Sequence, residues 1–384
     1  MGMKSVTTGI MSAFLACSGG AILIVQAAET AGLSKSELLS WFSSVFVIGG
    51  LLNFFLTLKY KLPFAGAHSI TGIAFIGTIA GQYSFPVLSG GFILSGMLML
   101  LAGSTGLFAK AIGLVPKPLI DALLAGLLVP YVIGIAPAAI ELPLSGLLAG
   151  IGLLFMSKIT KRVPPPMWAI LLAAIGLGLE YDFPALPHSD YIPPHPVIPE
   201  FTLSGLFSIA IPLFLLVVSN DLAVALSSLK SHDFDPPVNK TLAASGISSM
   251  VAGLFGGHAA NVGGMMSALC SSQEAGPKPT RRWAAIVSNG IVVCFGLLAW
   301  KVIDLIQILP PVFVSMITGI SLLGLFGNVL RSAFSKRDFR YPAILTFVIA
   351  ILHVNVLGIS TPVWALICGI AVMQLLRCST AKKG

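Results

Sequence analysis

Charge is what this chain lacks most. Aspartate, glutamate, lysine and arginine make up 9% of its 384 residues, against about a quarter in soluble globular proteins. That scarcity excludes an ordinary water-exposed surface. Long polar loops are missing too: no connection between apolar segments exceeds about twenty residues, so no soluble domain is expected. The five cysteines (Cys17, Cys270, Cys294, Cys368 and Cys378) have no paired spacing and fall mostly in apolar stretches. This argues against a disulfide framework or thiolate metal cluster, and for small buried side chains. A Walker A loop, an HExxH pair and a GxSxG elbow are all absent, so the sequence implies neither an enzyme nor a cofactor. The net charge of +8 raises the possibility of nucleic acid binding. However, the basic residues lie in short loops between apolar runs, which is a mark of membrane topology rather than of a phosphate-binding face.

What is abundant is apolar sequence. Hydrophobic residues make up 56% of the chain, and runs long enough to cross a hydrocarbon core of ~30 Å as helix recur along it. Lys4 followed by an apolar run to about Ala28 is too long for a signal-peptide core and predicts an uncleaved first helix. The pattern predicts an all-α integral membrane protein with fourteen spans. They fall near 6–28, 37–58, 67–81, 87–109, 118–136, 143–159, 167–181, 202–229, 241–256, 259–272, 283–300, 309–330, 341–353 and 361–377.

Loop charge supports this count. With the N-terminus placed in the cytoplasm, twenty of the twenty-two Lys and Arg fall on the inner side, and Lys35 and Lys301 fall outside. Positive-inside insertion gives such an asymmetry, so both termini are expected in the cytoplasm. The longest outer connection, within 182–200, has no Lys or Arg and six prolines. It divides the chain into residues 1–182 and 201–384, seven spans each, joined by the Pro-rich segment 183–200. An odd number of spans per half reverses the orientation of the second half. Such inverted repeats, with core and gate bundles drawing on both halves, typify secondary transporters. Two unrelated halves would give the same count.

The halves also echo each other. Residues 63–77 read PFAGAHSITGIAFIG and residues 254–269 read LFGGHAANVGGMMSAL, with His68 and His258 190 positions apart. Each has glycines, a histidine and then a polar residue (Ser69 and Thr71; Asn261) opening a small-residue helix too short for a full crossing. Extended backbone at membrane depth is tolerated only inside protein or beside a cavity. Each segment therefore reads as a short strand leading into a half-helix, the third and tenth spans. Two opposed half-helix starts would converge their free N–H groups and positive dipole ends on one anion site. The alternative is that the glycines only allow close helix packing.

Ionisable residues inside spans are costly and usually face a cavity or partner. Asp221 is the one carboxylate well inside a span, in IPLFLLVVSNDLAVALSSLK beside Ser219 and Asn220. It is the leading proton-coupling residue, with His258 the second candidate; a structural capping role for Asp221 stays open. The expected substrate contacts are His68, Ser69, Thr71, Asn220, His258, Asn261 and Gln26, with Ser18 also near. Asp121 reads as a helix cap or dipole partner. His188, His195 and His353 receive no chemistry.

The stretch GLFGGHAANVGGMMSALCSSQEAGPKPTRRW, with Glu274-Ala275, Pro277, Pro279 and Arg281-Arg282-Trp283, resembles the benzoate–proton symporter family. VQAA at 25–28 is similar to the end of that family's first span. The resemblance implies a uracil-permease-like fold and a secondary transporter of the inner membrane, importing benzoate or a related organic anion with protons. Its partners would be the small anion, protons and the bilayer, with a homodimer compatible with the fold. Asn220-Asp221 and His258 depart from that family's pattern. A nucleobase transporter of the same fold and an uncoupled anion carrier are the alternatives.

Overall fold

The computed structural model describes residues 2–106, 115–156, 164–185, 191–352, 355–356 and 359–381. His188, His353, six of the counted basic residues (Lys110, Lys158, Lys161, Arg162, Lys382 and Lys383) and the side chains of Arg377 and Cys378 lie outside them. Among the described residues, six helices are long and apolar enough to cross a membrane: Met3–Thr30, Lys35–Tyr60, Phe85–Ser104, Lys117–Glu141, Leu203–Ser231 and Pro311–Ala333. Lys278–Leu297 and Ala299–Gln307, bent by 74°, make a seventh if counted together. The other apolar segments form shorter helices, among them Ile70–Gln82, Pro143–Met156, Pro165–Glu180 and Thr361–Leu376. The chain is a multi-pass membrane protein.

Local chemistry sets many of the helix starts. Ser34 and Glu37 form a reciprocal capping box ahead of Lys35–Tyr60, Glu37 Oε2 accepting from the Ser34 N–H at 2.8 Å. Proline occupies the first turn of Phe85–Ser104, Lys117–Ile133, Pro165–Glu180 and Pro311–Ala333, where its missing N–H costs nothing. Inside Leu203–Ser231 a proline has a different effect. Pro212 cannot donate to the Ser208 carbonyl one turn back, and the helix widens to a π-turn over Leu206–Ala210. The freed Ser208 oxygen accepts from Ser360 Oγ at 3.1 Å, and Ser360 N donates to Ser208 Oγ at 3.1 Å. A second π-turn, Val217–Leu222, carries Asn220 and Asp221.

Helix contacts sort the described residues into two groups. The first comprises Met3–Thr30, Lys35–Tyr60, Ile70–Ile79, Phe85–Ser104, Leu203–Ser231, Val238–Gly253, Gly264–Ser271 and Arg281–Leu297. The second comprises Lys117–Glu141, Pro143–Ile151, Pro165–Glu180, Pro311–Ala333, Arg340–Ile351 and Thr361–Ala381. The connection 191–200 is strapped to the first group. His195 N donates to Ser40 Oγ at 2.9 Å, Val197 N to Leu254 O at 2.7 Å and Glu200 N to Pro86 O at 2.9 Å.

The strands expected ahead of the third and tenth half-helices do not form. The stretches 63–69 and 257–263 are extended and buried, but they meet at one isolated antiparallel bridge, His68 opposite Ala260. Asn261 N donates to Ala67 O at 3.1 Å and Gly263 N to Ala65 O at 3.0 Å. The ladder stops there because side chains take up other backbone groups. Asn53 Nδ2 donates to Asn261 O at 2.9 Å, Asn289 Nδ2 to Phe64 O at 2.9 Å, and Ser249 Oγ bridges both polar atoms of Ala260 at 3.1 Å. Ser267 Oγ does the same for Ala65, at 2.9 and 3.1 Å. Buried backbone is therefore satisfied without a sheet. The crossing demands glycine: a Cβ on Gly66 would sit 2.2 Å from Gly263 N.

Candidate functional site

Two short helices begin where the extended stretches end. Ile70–Ile79 is capped by Ser69, whose Oγ accepts from Gly72 N at 2.8 Å. Gly264–Ser271 starts after Gly263 with no side-chain cap, and its far end is held by Arg281, whose Nη1 donates to Ser271 O at 2.8 Å. Apart from Gly72 N, the first-turn N–H groups of such helices have no intrahelical partner.

Asp221 lies at the first of these starts. Its Oδ2 accepts from Ser69 Oγ and from Thr71 Oγ1, the latter at 3.1 Å, and the residue is 7% exposed. The two hydroxyls suit an ionised carboxylate, and the helix start adds partial positive charge. Gly264, the first residue of the second helix, packs against the backbone of Asn220 and Asp221. Asn261 is wholly buried with its amide in long contact with the same carboxylate, and neither amide atom reaches ordinary hydrogen-bond geometry with any protein group. A buried amide in that condition costs ~1–3 kcal/mol per unmade bond, and such groups are uncommon without a functional reason.

One residue beyond Ser69 and Gly264 the chain reaches a cavity. Ile70 and Met265 line a space of about 500 Å³ shared with Leu15, Ser18, Gly19, Pro164–Met167, Ile170, Ser321, Leu322, Leu325 and Asn328. Its walls come from both helix groups and are apolar apart from a few groups such as Ser18, Ser321, Asn328 and Glu274. No Lys or Arg among the described residues lines it. A second space of about 360 Å³ lies at the other end of the same seam, lined by Gln26, Glu29, Thr30, Tyr131, Ser315 and Thr318. Two hydrogen bonds cross the seam there: Tyr131 Oη to Ala74 O at 3.2 Å and Thr318 Oγ1 to Gln26 Oε1 at 3.3 Å.

The structure thus gathers Ser69, Thr71, Asp221 and Asn261 at one point. Gln26 lies apart, in the second space. Asn220 turns away from Asp221, its Oδ1 accepting from Lys117 Nζ at 3.3 Å. Lys117 also pairs with buried Asp121 at 2.9 Å, and Ser332 Oγ donates to the same Asp121 side chain. Asp121 is therefore a cross-helix partner, not an N-cap.

His68 and His258 come together, with ring centroids 5.2 Å apart, but neither lines the cavity. Phe46 packs against His68 at 4.9 Å, and Trp41 and Phe92 against His258 at 6.0 and 6.4 Å. His195 Nδ1 is within 3.0 Å of Ser40 Oγ. Of the cysteines, Cys270 is buried, whereas Cys294 is exposed. Sequence reading missed Trp41, Asn53, Asn289 and Ser249. A polar residue within an apolar run was the available signal for the two asparagines.

The benzoate membrane transport protein profile (BenE) matches residues 1–375. Inner membrane protein YdcO of Escherichia coli K12 is 26% identical over 367 residues, 94% of this chain and 93% of that protein. A benzoate membrane transport protein of Acinetobacter baylyi is 24% identical over 379 residues, 97% of this chain and 95% of that protein. Among solved structures, the transmembrane domain of the cyanobacterial bicarbonate transporter BicA superposes with a TM-score of 0.60 at 16% identity, covering 96% of this chain and 97% of that one. The murine anion transporter Slc26a9, inward-facing, gives 0.64 at 14%, covering 99% and 68%. At such identities the likeness is one of fold.

Proposed function

Because the chain belongs to the benzoate membrane transport protein family, we propose that it imports benzoate or a related aromatic carboxylate together with protons, by alternating access. The observation that carries this reading is the wholly buried Asn261 amide, in long contact with Asp221 and without a hydrogen bond of ordinary geometry, between two helix starts. The carboxylate of the substrate is received by the free N–H groups of Gly264–Ser271 and by Asn261. Its ring occupies the apolar cavity bounded by Ile70 and Met265. With no Lys or Arg in the described lining, the substrate's charge is met by helix ends and by a proton.

Asp221 carries that proton. While ionised it occupies the start of Ile70–Ile79 and repels a second carboxylate close by. Once it is protonated, the anion enters without meeting a like charge, so substrate and proton move together and their charges cancel. The first helix group acts as the core and the second as the gate, within fourteen spans arranged as two inverted repeats of seven. Both ends are cytoplasmic in the inner membrane. The second space, with Gln26 and Tyr131, is the outer vestibule, closed by the two cross-seam hydrogen bonds.

The test is uptake by proteoliposomes of labelled benzoate, other aromatic acids, bicarbonate and uracil, with and without an inward proton gradient. Gradient-driven accumulation of aromatic acids is expected. Uptake of uracil or bicarbonate alone overturns the substrate class, and gradient-independent uptake overturns the coupling.

A further inference from the structure

Trp41 has one polar side-chain atom, an N–H that can only donate. It lies 3.0 Å from His258 Nδ1, so that nitrogen carries a lone pair and no proton. The other ring nitrogen, Nε2, faces the Ser69 carbonyl oxygen at 3.1 Å. A carbonyl only accepts, so Nε2 carries the proton. Two neighbours of opposite polarity thus fix His258 in one neutral tautomer. Trp41 and His258 are both wholly buried. Ser69 is held by this contact on its backbone oxygen, while its hydroxyl caps Gly72 and donates to Asp221.

We infer that Trp41 and His258 are positioning residues for the transport site: they fix Ser69, and through it the Asp221 carboxylate, and they hold His258 uncharged. Their role presupposes that Asp221 and Ser69 belong to the transport site. Around the His258 ring stand Trp41 from Lys35–Tyr60, Phe92 from Phe85–Ser104, and His68 and Ser69 from the extended stretch. Of these, His68 is the ionisable neighbour, and Asp221 is reached across Ser69. A proton on Nδ1 would set two N–H groups against each other and place a cation beside His68. The indole N–H therefore opposes charging of His258, so the transported proton is carried elsewhere, at Asp221 in the reading above.

Trp41→Phe removes the donor and keeps an aromatic ring of smaller size. The full-length protein is labelled with nitrogen-15 at histidine, and His258 is identified by its loss from the spectrum of His258→Gln. In the wild type, Nδ1 should be bare and Nε2 protonated from about pH 5 to pH 8, the range in which free imidazole titrates. In Trp41→Phe the tautomers should mix, and His258 should gain a proton at the acid end. In proteoliposomes the KM for benzoate should rise about three- to tenfold, the worth of one hydrogen bond. The maximal rate at neutral pH should hold, and uptake should decline on the acid side where the wild type does not.

His258→Gln, which keeps a donor for Ser69 and cannot titrate, should retain the wild-type pH profile, whereas His258→Leu should lose affinity. If Trp41→Phe does not fold, the wild-type spectrum and the Gln-against-Leu comparison decide. A protonated Nδ1 in the wild type, or equal behaviour of the Gln and Leu variants, overturns the assignment. A fixed tautomer in protein that accumulates no aromatic carboxylate supports the lock and overturns the transport reading.

Discussion

Thr71 Oγ1 donates to Asp221 Oδ2 at 3.1 Å across 150 residues of sequence. The contact joins the start of a short helix in the first half of the chain to a π-turn in the second. A carboxylate so placed occupies the position that an incoming anion would seek.

Asp221→Asn removes the ionisable group and keeps the shape. Proton-driven accumulation of aromatic carboxylate should vanish, while exchange of internal for external substrate continues. With one proton per anion, each pH unit of gradient sustains about a tenfold accumulation in the wild type, and the variant should sustain none. Wild-type initial uptake should rise as the outside is acidified; the variant's should stay flat. Counterflow and gradient-driven uptake measured on the same vesicles separate the two.

Asn261→Ala should divide stability from function. The side-chain amide makes only a long contact to Asp221 and no hydrogen bond of ordinary geometry, so its removal should change the melting temperature little. Substrate affinity should fall about tenfold, as for the loss of one hydrogen bond to an anion. A fall in melting temperature with unchanged KM would make Asn261 structural.

Asn289→Leu should do the reverse. It strips the Phe64 carbonyl of one donor and Gly66 N of its 3.4 Å acceptor in a buried crossing. A loss of ~2 kcal/mol or more is expected, read as a lower midpoint in thermal unfolding in detergent. Thr57 Oγ1 also donates to Phe64 O, at 2.8 Å, and should soften the effect.

Gly66→Ala tests the crossing itself. The added Cβ would lie 2.2 Å from Gly263 N and 2.9 Å from Asn261 O, both backbone atoms that cannot turn aside. Loss of folded protein, followed by size-exclusion chromatography, is the expected result. Normal yield and uptake would mean that the two stretches cross elsewhere.

Tyr131→Phe deletes one of the two hydrogen bonds across the seam near Glu29 and Thr30. The protein should spend more time open on that side. Ser315→Cys in this background, labelled by a membrane-impermeant maleimide, should react about three- to tenfold faster than in the Tyr131 parent. An unchanged rate would leave the Tyr131 hydroxyl no part in closure.

The sequence made some of this legible. Alternation of apolar runs and polar loops announced the membrane, and the matching glycine–histidine segments pointed to two short helices that the structure brings together. Which way each side chain points was not legible. In an extended stretch a shift of one residue turns a side chain to the other face, so nothing local told whether His68 and His258 meet the cavity or the aromatic side chains behind it. Asn220 and Asp221 diverge for a related reason, since neighbours on a helix face different ways. Asn53 and Asn289 read as isolated polar residues in apolar helices, because the carbonyls they satisfy lie 208 and 225 residues away.

Those long separations bear on how the protein is made. The Phe64–Ser69 stretch leaves the ribosome well before Asn261, Ser267 and Asn289, which later occupy its peptide groups. A nascent chain inserted in order must hold this segment for some two hundred residues of synthesis without its final partners, and in lipid an unsatisfied peptide group is costly. The segment is therefore expected to stay hydrated or shielded by the insertion machinery until residue 289 arrives. Chains arrested before that point should be preferred targets for membrane proteases.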